Sequence, residues 1–151
     1  MSHTLDASIA VAFAHMIQAL QLSKSALGLV KLYPIDPIPI RLALYENALD
    51  SLTAAFATIQ LLPFIQLPPN PIYLNNPAIP SLQDTQIIDK LAANQTILAI
   101  SKIGAATRYI DQIMLLSGSG DSDVLCLLIS IRTDLVSARN ALIVVVNTFP
   151  L

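Results

Sequence analysis

The chain has 151 residues, of which 54% are hydrophobic and only 12% charged, with a formal net charge of −2. That length fills one domain, residues 1–151, around a core of its own, but a charged fraction well below the usual ~25% is too small to wrap such a core, so the composition predicts a surface that other protein covers. Basic residues scattered one at a time give no electrostatic footprint for nucleic acid, a lone cysteine excludes a disulfide framework and a cysteine metal cluster, and no Lys or Arg precedes Lys24 to open a secretory signal.

The first helix is expected over about 4–32, ending where Tyr33 precedes Pro34 and leaves the helical region. Asp36 followed by Pro37 reads as an N-cap with proline at the first helical position, opening a second helix over 37–62. Pro39 falls within its first turn and is tolerated there.

A different kind of segment follows. Residues 63–81 hold six of the ten prolines, no glycine and no charge, yet are rich in Leu, Ile, Phe and Tyr. In a polyproline-like conformation such a stretch reaches roughly 59 Å at about 3.1 Å per residue, longer than the second helix, so it is expected as an extended strap along its own bundle whose outer face contributes to a contact, the alternative being an arm laid across a neighbour. Its candidate interface residues are Phe64, Ile65, Leu67, Ile72, Tyr73, Leu74 and Ile79.

Ser81 or Asp84 can cap a third helix over 82–116. Its apolar seam is Ala92, Ala99, Ile103, Ala106, Ile110 and Ile113, opposite a polar line of Lys90, Asn94, Ser101, Arg108 and Gln112. The run Ser117-Gly-Ser-Gly120 breaks the chain before a fourth helix over 122–146. There the steps of four and three through Val124, Leu128, Ile131, Leu135, Ala138, Leu142 and Val145 are those of helix-bundle packing. Cys126, set among aliphatic neighbours, is expected as a buried small hydrophobe.

The fourth helix has more apolar residues than one seam uses, including Leu127, Val136, Ile143 and Val144, and a helix apolar on two sides is expected to be covered on two sides. These four join the interface candidates. The β-branched run 143–146 is expected to lose helix early, with Phe149, the last candidate, docking in an extended tail. A faint resemblance between Leu22-Ser-Lys24 and Ile100-Ser-Lys102 is explained by convergent helix composition as well as by internal duplication.

Reaction chemistry is sought without success, and no catalytic, cofactor or metal residue is assigned. A di-iron bundle needs about four carboxylates and two histidines in Glu-x-x-His spacing, and the chain has one glutamate, Glu46. His15 lacks a haem-attachment motif and reads as a satisfied or solvent-facing histidine; Cys126 lacks the electropositive setting of a reactive thiol. Asp121 and Asp123 would repel an anion from the Ser/Gly turn, and the ligand spacing of a calcium loop is missing. Arg41 with Glu46, and Asp134 with Arg139, are five residues apart and pair poorly within a helix, which frees them for other chains.

A membrane span is not expected either. The uncharged stretch before Lys24 is short and carries His15, Gln18 and Gln21, and prolines interrupt the longer run 51–83. The expected fold is all-α: a four-helix bundle of two helical hairpins joined by a long Pro-rich extended crossover. The expected role is that of a non-enzymatic structural subunit, partnered by copies of itself or by other structural subunits, cytoplasmic or in a virion such as a bacteriophage head, neck, tail or baseplate. The alternative is a bundle holding an apolar ligand or pigment among Phe13, Met16, Tyr45 and Phe56.

Overall fold

The computed structural model describes residues 2–32, 39–62, 85–117 and 122–149, and the side chains of 10–31, 40–62, 89–115 and 123–149. They form four helices: α1 (Ser2–Leu32), α2 (Pro39–Ile59), α3 (Thr85–Ser117) and α4 (Ser122–Asn147). The expected caps Asp36, Ser81 and Asp84, and the whole of the expected strap, lie outside the described residues. Helix α2 ends in a tightened turn, with the Leu61 N–H donating to the Thr58 carbonyl (2.9 Å) and the Leu62 N–H to that of Ile59 (3.3 Å).

The helices pack as an all-α four-helix bundle. Every helix turns one line of small and aliphatic residues inward, because steps of four and three keep a stripe on one face of a 3.6-residue helix. On α2 the line is Arg41, Tyr45, Ala48, Leu52, Ala55, Ile59 and Leu62, all buried. The α3 and α4 seams read from the sequence are buried residue for residue, and the expected polar line of α3 is exposed.

Side-chain pairs fix the directions. Phe13 meets Phe56, Asp111 meets Arg132, and both Arg41–Thr148 and Ser51–Ser137 join α2 to α4. In the α2–α4 pairs one residue number falls as the other rises, so those helices are antiparallel; α1 with α2 and α3 with α4 are antiparallel hairpins. Hence α2 and α3 run parallel. They stand diagonally opposite, since the α3 backbone approaches those of α1 and α4 but not that of α2. Leu62 and Thr85 therefore sit at opposite ends of the bundle, separated by a helix length of roughly 32 Å.

The most extensive helix contact is α1 on α3, followed by α2 on α4. Alanine explains the first. Ala12, Ala19 and Ala26 of α1 and Ala92, Ala99 and Ala106 of α3 recur at seven-residue steps, and all six are fully buried. Seven residues are nearly two turns, so each trio forms one line of methyl groups along which two backbones approach closely. Larger residues, among them Leu52, Ile59, Leu128, Leu135 and Leu142, fill the α2–α4 half.

Three expectations are corrected. Cys126 is exposed: it lies two residues from Val124 and from Leu128, and two residues turn a helix by about 200°, so burying those neighbours points Cys126 outward. The β-branched run 143–146 stays helical because packing outweighs its weak intrinsic preference, and α4 continues to Asn147. Phe149 then folds back into the core instead of extending. The match between Leu22-Ser-Lys24 and Ile100-Ser-Lys102 does not extend to burial, in keeping with convergent composition: Ser23 is buried on its seam, donating to the Ala19 carbonyl, while Ser101 is exposed.

Candidate functional site

Two features of the described residues could carry function: a polar cluster at one end of the core and an uncovered apolar side of α4. The cluster begins with Arg41, which is only 5% exposed. Its place on the α2 seam turns it inward, toward the last turn of α4. There Nε donates to Thr148 Oγ1 (2.9 Å) and Nη2 donates to the Thr148 carbonyl (2.8 Å), while the guanidinium lies 4.0 Å from the centre of the Phe149 ring. Thr148 Oγ1 donates in turn to the Val145 carbonyl (2.6 Å).

One turn deeper, the Tyr45 hydroxyl lies 2.6 Å from Thr96 Oγ1, which donates to the Ala92 carbonyl (2.7 Å). With the Thr96 proton so engaged, Tyr45 is the donor across the diagonal of the bundle. Burial pushes the Tyr45 hydroxyl up to about 12, against smaller lowering effects of the Thr96 bond and Arg41. A phenol held neutral and hydrogen-bonded in a packed core locks the relative position of α2 and α3. The cluster acts as a clasp: it satisfies the carbonyls at the C-terminus of α4 and sets the register of three helices.

His15 departs from the satisfied or solvent-facing reading. It is half-buried, stacked at 6.0 Å on the Tyr109 ring, and its Nδ1 is buried without a hydrogen-bond partner. Burial first, then Lys102 and Arg108, lowers its pKa below the usual 6.5. The folded protein therefore binds this proton less readily than the unfolded chain, and stability falls as the pH drops through 6.5 and levels off below the lowered folded value. His15→Gln is expected to remove that part of the acid sensitivity. Urea midpoints measured for both proteins between pH 7.5 and 5 (the range that brackets the unfolded value) check it: the wild-type slope must exceed that of the variant.

The candidate interface residues divide into three groups. Phe64, Ile65, Leu67, Ile72, Tyr73, Leu74 and Ile79 lie outside the described residues. Phe149 is buried beneath Arg41, and Leu127 packs against the core rim. Val136 and Ile143 are half-buried on α4, and Val144 is 46% exposed, with Ile129 beside them at 49%. The second apolar side of α4 is thus left open by its own bundle.

As their five-residue spacing predicts, Arg41 does not pair with Glu46, nor Asp134 with Arg139, among the described residues, but Arg41 is not free for another chain. Arg41 is committed to Thr148, and burial holds the Asp134 carboxyl above its ordinary range. The ion pair among the described residues is Arg132–Asp111, 2.7 Å across the α3–α4 hairpin and largely exposed, a geometry that contributes little to stability.

Phe13, Met16 and Tyr45, weighed as ligand-lining residues, are buried, and Phe13 packs against the tilted ring of Phe56 with ring centres 4.7 Å apart. Among the described residues no three His, Cys, Asp or Glu side chains gather as a metal-holding group, and no helix is long and apolar enough to cross a membrane. Compared with known protein-family models, curated proteins and solved structures, the chain matches none.

The sequence reading missed the clasp. Its signal was present in the spacing: extending the α2 seam upward from Ala48 reaches Tyr45 and then Arg41, and Thr96 occupies the step between Ala92 and Ala99 on α3. Polar residues on an otherwise aliphatic seam are the mark of a buried bonded cluster.

Proposed function

We propose that this protein is a non-enzymatic structural subunit that assembles with copies of itself or with neighbouring structural proteins, as in a bacteriophage virion component. The supporting observation is the open apolar side of α4, where Ile129, Val136, Ile143 and Val144 lie outside the seam that its own bundle covers. Aliphatic side chains are stabilised by leaving water, at about 25 cal/mol per Å², and a chain with 12% charged residues has little charge with which to keep such surfaces apart. The virion setting is the more specific part of the proposal and rests on analogy with helical assembly subunits.

The expected solution state is an oligomer burying more than about 2,000 Å² per interface, as obligate contacts do. Multi-angle light scattering of the purified chain at micromolar concentration measures this directly. A monomer across that range would overturn the proposal.

A further inference from the structure

The geometry points to a head-to-tail contact in which α2 of one copy docks into the outer groove between α3 and α4 of the next. This inference rests on the assembly role proposed above and names its two faces.

The groove is built from two lines. Ile97, Gly104 and Asp111 recur at seven-residue steps along α3, and Ile129, Val136 and Ile143 do so along α4, adjoining Arg132 and Arg139. The Arg132–Asp111 bond at 2.7 Å holds the two lines on the same side of the bundle. Ile97 and Ile129 are each nearly half exposed, so the groove is apolar and open. It also contains a notch. A Cβ built at Gly104 meets nothing within 4 Å, although glycine inside a helix costs about 1 kcal/mol relative to alanine. A second surface entering the notch would supply the contact that the chain's own side chains do not.

Charge selects the occupant. Arg139, beside the α4 line, is exposed and makes no ion pair or hydrogen bond among the described residues. Glu46 and Asp50, one turn apart on the outward side of α2, are likewise exposed and unpaired among the described residues. Before and after them along the helix stand Ala43, Ala54 and Ala57, all exposed, giving α2 a low outer ridge that can enter a groove. The acids and the groove face away from each other on one molecule, so the contact is heterologous: one copy presents α2, the next receives it. Repeated, such a contact closes into a ring or extends as a filament.

Three variants test it by sedimentation velocity and light scattering, with far-UV circular dichroism to follow the fold. Arg139→Glu and Asp50→Arg, each alone, are expected to raise the concentration of half-assembly by roughly tenfold or more, and the double variant to restore assembly because the pair is swapped. Gly104→Leu fills the notch and is expected to block assembly while retaining helicity and thermal midpoint. A wild-type oligomer indifferent to all three variants overturns this inference and leaves the assembly role standing, since another face then makes the contact. Loss in both single variants without rescue in the double overturns the pairing of α2 with the groove. A monomeric wild type overturns the assembly role itself, and this contact with it.

Discussion

Arg41→Ala is expected to lower the unfolding free energy by about 3 kcal/mol. Hydrogen bonds to a charged group contribute about 1.5–3 kcal/mol and a desolvated cation–π contact about 2. Arg41 makes two such bonds to Thr148 and one contact with Phe149, and these share one side chain, so the sum is an upper bound. The side chain stabilises α4 more than its own helix. In the first turn of α2 a cation opposes the helix dipole, whereas the carbonyl it binds belongs to the C-terminal end of α4, where a cation is favourable. The loss should therefore start at the end of α4. Hydrogen exchange is expected to accelerate most at the amides of Val145, Val146, Thr148 and Phe149, with urea unfolding giving the global change. Arg41→Lys should recover less than half, because an ammonium cannot reproduce the Nε and Nη2 fork. Equal stability of the alanine and wild-type proteins would show that the clasp contributes nothing net.

How far this structure was legible varies residue by residue. On α3 and α4 the seam was read in full because aliphatic and alanine residues at steps of four and three, opposite a polar line, have no other economical placement. Which helix each seam faces was not legible, since a seam records that a side is buried and is silent about its neighbour. The parallel, diagonal relation of α2 and α3 emerges only from long-range pairs such as Arg41–Thr148 and Ser51–Ser137 and from which helices pack together. Cys126 misled through composition: aliphatic neighbours suggested burial, while its phase on the helix set exposure. Ser23 and Ser101 show the same effect of phase, alike in local sequence and a different distance from their seams. Phe149 was read as part of a tail because the residues around it favour extended chain, and its contact with an arginine more than a hundred positions away outweighed that local preference. The open side of α4 was legible as a surplus of apolar residues, but not as a groove, because the sequence does not tell that Asp111 and Arg132 join α3 to α4 on that side.

Ala99→Leu tests whether alanine sets the approach of α1 and α3. Ala99 is fully buried on the line of methyl groups where those helices make the most extensive contact in the bundle. Three added carbon atoms have a favourable burial of about 2 kcal/mol available if they find space. They also force the backbones apart along a line shared with Ala92 and Ala106, and overpacking of this kind has a net cost of about 1–3 kcal/mol. The upper end is expected here, because the seam is continuous and separating the helices at Ala99 loosens the contacts of neighbouring alanines on both. Ser101→Leu is the control. It adds an aliphatic side chain two residues further along the same helix, on the exposed polar line, and should change stability by less than about 0.5 kcal/mol. Urea unfolding of the two variants, at a concentration where assembly state is matched, separates the effects. A neutral Ala99→Leu would mean that α1 and α3 have room to spare, and that the alanine repeat reflects helix propensity instead of close packing.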